Sequence, residues 1–152
     1  MNRLAVANLT AAEFAPFGII GLPAADGAPV AGGDPLDLSQ GRHRFYLMRL
    51  EGRGIVFDQM ARHDRVTQCL GTIDRSSWLI AVAPAAIKSL RFADLRAFSV
   101  PGDQFIMLAH GTWHAGPYFT ENCRNFYNLE LADTNTADYA VCRLADPVSF
   151  AL

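Results

Sequence analysis

The chain has 152 residues, of which 51% are hydrophobic and 18% charged, with a formal net charge of -2. That balance excludes an intrinsically disordered chain and argues against a nucleic-acid or anionic-membrane surface, leaving small ligands or protein partners. No apolar run approaches the roughly 18 residues of a bilayer-spanning helix, so no membrane span is expected. A chain of this length forms one domain, 1–152, burying roughly 68 to 70% of its unfolded surface without a disulfide or metal to hold it. Cys69, Cys123 and Cys142 are odd in number and irregular in spacing. The N-terminus has no charged region followed by an apolar run and a small-residue cleavage site, and both observations point to the reducing cytoplasm.

The first element in chain order is carried by "LTAAEFAPFG", where Thr10 and Glu13 have capping-box spacing and Phe17-Gly18 closes a turn or two of helix. "GLPAADGAPVAGGDPLDLSQG", residues 21–41, is rich in Gly, Pro and Asp and reads as a long irregular loop, a lid or an arm that wraps a neighbour. Eight short runs follow: "HRFYLMRL", "GIVFDQ", "VTQCLGTI", "SWLIAVA", "LRAFSV", "QFIML", "WHAGPYF" and "RNFYNLELA". Each is aromatic and aliphatic and is bounded by Gly, Asp, Arg or Pro, which predicts strands of a sandwich or barrel. One later helix is expected around Pro84 to Leu95. "EGRG" is too sparse for a phosphate loop, and there is no Walker-type run and no internal repeat.

Two of the four histidines lie in "LAHGTWHAGPYF", residues 108–119. Gly111, Gly116 and Pro117 oppose a helix there, since glycine costs a helix interior about 1 kcal/mol and proline about 3. A turn leading into a strand is expected, with His110 and His114 near the rim of a sheet. In "RHDRVTQCL", His63 and Gln68 are five apart and face opposite sides of an uninterrupted strand, but a bend at Asp64-Arg65 lets both face inward.

These two stretches resemble the paired motifs of the cupins. The first motif has a histidine followed after three or four residues by a glutamate, here Gln68, and the place of its earlier histidine is Ala61. The second has Pro, any residue, Gly, two residues and His; here it reads Ala109 to His114. The resemblance implies an all-β cupin domain, a double-stranded β-helix or jelly-roll barrel, with a short N-terminal helix. "EFAPFG", "DLSQGRHRFYLMRL", "RHDRVTQCLG", "GTWHAGPYF" and "FYNLELADTNTADY" resemble the ureidoglycolate lyase family, whose members are small cupins and commonly homodimers. That resemblance implies cleavage of ureidoglycolate to glyoxylate and urea in allantoin breakdown. Bacterial lyases of the family usually carry His-Arg before the glycine and two histidines after the tryptophan. Here those places are Ala109-His110 and His114-Ala115.

Elimination of urea from a carbinolamide needs a base for the hydroxyl proton, an acid for the departing nitrogen and a cation for the carboxylate. His110, His114 and Glu130 are the candidate catalytic residues, histidine being suited to acid and base work near neutral pH. His63, Gln68 and His114 are the candidate metal ligands. The sequence leaves open whether a divalent ion is bound and whether it is zinc, nickel, manganese or iron; no organic cofactor is expected. In "NFYNLELAD", period-two alternation places Phe126, Asn128 and Glu130 on one face, either the barrel lumen or solvent. Arg44 and Arg49 lie on opposite faces of their strand. Arg44 is the candidate carboxylate clamp, with a surface ion pair as the competing reading. Trp113 and Tyr118 are candidate substrate walls, with the core as the alternative for them and for Phe105. His43 is expected only to find a hydrogen-bond partner, and Cys69 to be a structural thiol facing away from Gln68. Exposed apolar faces of "FYLM" and "WLIAV" predict a two-fold dimer. A lyase or amidohydrolase, a noncatalytic ligand-binding cupin, and an iron-dependent isomerase or dioxygenase are the functions left to separate.

Overall fold

The structure, a computed structural model, describes residues 1–29 and 36–152, so the centre of the expected 21–41 loop lies outside the described residues. It is almost entirely β. Strands β1 (Asn2–Asn8), β11 (Ala140–Ala151), β4 (Val56–Arg62), β9 (Trp113–Tyr118), β6 (Arg75–Ala83) and β7 (Arg96–Gly102) pair in that order, and β7 returns to β1 to close a barrel. A five-stranded sheet runs β2 (Gly18–Gly21), β8 (Phe105–Leu108), β5 (Cys69–Thr72), β10 (Cys123–Leu131) and β3 (His43–Glu51). This is the all-β barrel expected of a cupin.

All eight expected strands are present, although "VTQ" precedes β5 instead of belonging to it. Three further strands, β1, β2 and β11, were not expected. β11 contains Pro147 and pairs with β4 through a register shift between Arg143 and Val148. A proline is tolerated in a sheet where the ladder slips, and that irregularity hides the strand from a periodicity reading.

β6 explains the layering. Leu79, Ala81 and Ala83 belong to one apolar cluster, with Met60, Trp113, Tyr118 and Phe150. The alternate residues Trp78, Ile80 and Val82 belong to a second, with Phe14, Phe17, Phe98, Ile106 and Phe126. A strand with both faces covered reads as a continuous apolar run, as "WLIAVA" does. Each large side chain buried this way contributes roughly 1.5–3 kcal/mol. Trp78 and Phe126 meet edge to face with centroids 5.5 Å apart, as do Phe14 and Phe98. Both faces of β6 are covered from Trp78 on, so the exposed apolar face expected of it is absent. An exposed apolar group lies instead on the outer face of the five-stranded sheet, where Phe45 is 68% and Leu47 55% exposed.

Thr10 caps the short helix α1 (Ala11–Phe14), accepting from the Glu13 backbone N–H at 3.3 Å. The helix expected over 84–95 is replaced by one 3-10 turn, Phe92–Asp94. A helix there would bond the Arg91 N–H to the Ile87 carbonyl. Instead the Arg91 N–H donates to the Asp94 carboxylate at 2.8 Å, and the Ile87 carbonyl accepts from the Trp113 indole at 2.7 Å. A local cap has taken one of the groups the helix would have joined and a tertiary partner the other.

The turn between β5 and β6 is held by a nearly buried guanidinium. Arg124 donates to both carboxylate oxygens of Asp74, at 3.1 and 2.7 Å, and to the carbonyls of Ser76 and Ser77. Asp74 also accepts from the Thr72 hydroxyl and the Ser76 N–H, which supports Arg75 in its left-handed conformation at φ 64°. The Arg124 bond holds the Asp74 carboxyl down at about 2, below its ordinary 3.8. A depressed carboxyl pKa stabilises the fold above the unfolded value, and this contribution fades as pH falls from about 4 through about 2. Thermal melts of the wild type and Asp74→Asn should therefore differ most near neutral pH, with the gap shrinking between pH 4 and 2; a gap constant with pH would show that the pair adds no such linkage.

Candidate active site

The bend at Asp64-Arg65 is built. β4 ends at Arg62, and the carboxylate of Asp138 accepts the backbone N–H groups of Asp64 at 2.7 Å and Arg65 at 2.8 Å. The Asp138 carbonyl faces His63 Nδ1 at 2.6 Å. One residue from the segment between helix α2 (Thr134–Ala137) and β11 thus fixes both the chain direction and the imidazole. His63 and Gln68 consequently line the same cavity, of about 380 Å³, with His114.

The second histidine is aimed by the turn before β9. Gly111 has φ 73°, and a Cβ there would lie 2.9 Å from a carboxylate oxygen of Asp64, so glycine answers both the backbone conformation and the close approach. The turn sends its two neighbouring histidines apart. His114 is buried and borders the cavity, its ring centroid 5.2 Å from that of His63. His114 Nδ1 faces the Thr112 carbonyl at 3.1 Å. A carbonyl only accepts, so in each neutral ring Nδ1 carries the hydrogen and Nε2 the lone pair. Burial, with His63 beside it, pushes His114 down to about 4, against the opposing effect of the Thr112 bond.

His110 goes the other way. Its nitrogens face the Asp64 carbonyl and the Asp37 carboxylate, each at 3.0 Å, and it does not line the cavity. As a catalytic candidate it is displaced by its own turn: both nitrogens already have partners outside.

A buried polar column forms the cavity's inner wall. In the β10–β3 register Glu130 stands opposite Arg44 and Asn128 opposite Tyr46, so alternation brings the polar face inward. Glu130 is 1% exposed and accepts four side-chain donors. Arg44 and Tyr46 donate to Oε1; Gln68, at 3.0 Å, and Asn128, at 3.1 Å, donate to Oε2. A carboxylate so engaged has its acceptor edges taken by protein donors, unlike the free base expected at Glu130. Because Glu130 can only accept, Gln68 turns its NH₂ group to it and to Asn128, leaving the buried Gln68 Oε1 without a protein partner. The other substrate candidates divide. Arg44 is bound to Glu130 and does not line the cavity, so the expected clamp is instead a half-exposed arginine paired with a buried carboxylate. Trp113 is in the core, bonded to Ile87. Tyr118 does line the cavity.

The remaining expectations fall outside this site. His43 meets the Leu38 carbonyl at 2.9 Å, Phe105 is exposed on the outer sheet, and burial pushes the Cys69 thiol up to about 11 on the side away from the cavity. Sequence reasoning missed Asp138, whose contacts are to backbone more than 70 residues away, and Arg53, a loop cation at the cavity. No pattern in the chain marks Asp138. "EGRG" marks Arg53 only as a turn residue between two strands.

A β-barrel with paired, backbone-anchored imidazoles around a small internal cavity defines a small-ligand barrel of the cupin kind. The family profile described as ureidoglycolate lyase matches residues 1–150. The chain belongs to the ureidoglycolate lyase family. Ureidoglycolate lyases of two Burkholderia mallei strains, NCTC 10229 and NCTC 10247, are each 31% identical to it over 127 residues, covering 75% of this chain and 74% of theirs.

The four donors around Glu130 predict that the column resists loss of its carboxylate. Glu130→Ala leaves buried donors without acceptors and should destabilise the protein by about 2–4 kcal/mol, with Glu130→Gln costing less. Denaturant titration of both variants checks this; equal midpoints for Glu130→Ala and wild type would show that the column carries no stability.

Proposed function

We propose that this protein is a ureidoglycolate lyase, releasing urea and glyoxylate in purine breakdown, and that His63 and His114 move the protons. The observation carrying this reading is that both imidazoles give Nδ1–H to backbone carbonyls and border one cavity. Family membership favours a lyase over a noncatalytic ligand-binding barrel.

In the elimination, one imidazole takes the proton of the substrate hydroxyl as the carbon–oxygen double bond forms. The carbon–nitrogen pair passes to nitrogen, which receives a proton as urea departs. No water is consumed, and the proton count is unchanged, so two neighbouring imidazoles are enough to carry the proton from one site to the other. Glu130 acts by orienting Gln68.

The donor set also fits a divalent cation. Two imidazole lone pairs and the unpartnered Gln68 Oε1 border one cavity, while no group of three His, Cys, Asp or Glu side chains suited to a metal occurs among the described residues. His63, His114 and Gln68 would hold the ion, which would lower the pKa of the substrate hydroxyl.

His114→Ala should lower turnover of ureidoglycolate by about 100-fold or more, whereas His110→Ala should stay near wild type. Assays of urea and ammonia on the same reactions should find urea alone, and full activity of His114→Ala would remove the proposal's central residue. Gln68→Glu sets a second carboxylate against Glu130, so it should retain more divalent metal after dialysis, read by elemental analysis.

The protein works as a two-fold dimer in the reducing cytoplasm. Free thiols at all three cysteines support the compartment, and the apolar outer face around Phe45, Leu47, Phe105 and Tyr127 supports pairing. Light scattering at micromolar concentration should give about twice the 16.6 kDa chain mass, and Leu47→Glu should shift it toward that of a monomer.

A further inference from the structure

The reaction proposed above needs a cation for the substrate carboxylate, and Arg44 does not supply it, since it is paired with Glu130 and does not line the cavity. Among the described residues lining the cavity, one side chain is cationic: Arg53. Its guanidinium carbon lies 4.3 Å from the centroid of the Tyr118 ring, which lines the same cavity. The other arginines around the site have acidic partners: Arg62 with Asp64, Arg65 with Asp133, and Arg124 with Asp74. Arg53 makes no ion pair among the described residues. The remaining acid at the cavity, Asp58, is met by Arg143 at 3.6 Å.

The loop that carries Arg53 is fixed on both sides of it. A Cβ on Gly52 would lie 2.1 Å from the Glu121 carbonyl oxygen, so only glycine lets the loop pack this closely, and the Gly52 N–H donates to the Asn122 carbonyl at 2.7 Å. Gly54 turns the chain with φ 74°. Arg53 therefore starts from a set backbone position and lays its planar group against an aromatic face. Stacking leaves the in-plane N–H donors free, which is the edge that a carboxylate engages through two parallel bonds.

We propose that Arg53, stacked on Tyr118, binds the carboxylate of the substrate and so selects small organic acids for this cavity. The assignment rests on the reading of the cavity as the lyase site, but its binding arm can be tested without turnover. Losing a charge-assisted pair that forms in the ground state and persists in the transition state raises KM and leaves kcat unchanged.

The test uses the full-length wild type, Arg53→Gln and Arg53→Lys, with matched melting curves. Arg53→Gln should raise KM for ureidoglycolate by about 10-fold or more with little change in kcat, and Arg53→Lys should recover part of the loss. In a binding arm, calorimetry compares oxamate with its uncharged diamide, oxamide. Arg53→Gln should weaken oxamate alone. If the wild type does not turn over ureidoglycolate yet binds oxamate in an Arg53-dependent way, the lyase reading falls and this inference stands. If turnover is normal and Arg53→Gln leaves both KM and oxamate binding unchanged, the inference falls and the lyase reading stands. Equal weakening of oxamate and oxamide would show a shape effect of the Arg53 and Tyr118 stack and overturn carboxylate recognition.

Discussion

The Asp138 carboxylate, accepting the N–H groups of Asp64 and Arg65, is the constraint on which the site depends. Without a bend at this point, His63 and Gln68 would leave a continuous strand on opposite faces, and only one could reach the cavity. Two charge-assisted bonds to consecutive N–H groups satisfy donors that the end of β4 would otherwise leave unpaired. The same residue's carbonyl fixes the Nδ1 side of His63, so chain direction and ring orientation share one anchor. The anchor comes from the approach to β11, the strand that pairs with β4 and with β1 in the barrel wall. The strand that follows the anchor thus belongs to the barrel wall itself.

The buried column on β3 and β10 shows how an interior charge is tolerated here. Glu130 is removed from water, and that would raise its energy by several kcal/mol without compensation. Register supplies the compensation: the residue directly across the ladder is Arg44, and the next inward pair is Asn128 with Tyr46. The column is polar on the barrel side, while Phe45, Leu47 and Tyr127 on the other side of the same strands are exposed. At this end of β3 and β10 the usual expectation of apolar residues inside and polar ones outside is inverted, whereas Phe126 and Ile106 of the same sheet face the apolar core. Packing alone does not explain that inversion; a polar wall for a cavity does.

The strands in the middle of the chain were legible because their signals are local. Period-two alternation in "HRFYLMRL" and "NFYNLELAD", and a two-sided apolar run in "WLIAVA", are set by each strand's own faces. β11 was illegible because Pro147 and a slipped register break its periodicity, and the 84–95 segment was misread because Trp113 and Asp94 capture the groups a helix would use. Motif spacing brought His63, Gln68 and His114 to one site. It did not separate His110 from His114, because that depends on the handedness of the turn at Gly111. Ala61 also gains meaning only in three dimensions: it pairs with His114 in the ladder and borders the cavity at the place where the cupin motif has a histidine. A histidine-poor version of the motif is therefore a real feature of the site, matched to the neutral Gln68.

The cavity's polar atoms fall into two groups, and their division describes the ligand. Those of Glu130 and Asn128 are engaged by other side chains, so they hold shape and offer little to a guest. The unengaged set includes the Nε2 edges of two imidazoles, Gln68 Oε1 and, at the loop beside Tyr118, the Arg53 guanidinium. The first three accept hydrogen bonds, and the last donates them and carries positive charge. A complementary guest bears hydroxyl or N–H donors together with an anionic acceptor, and is small enough for about 380 Å³. A hydroxy acid carrying a ureido nitrogen has those groups. A neutral sugar lacks the charge that pairs with Arg53, and a simple dicarboxylate lacks the donors that satisfy the buried Gln68 Oε1, so the same arrangement that binds the one disfavors the others.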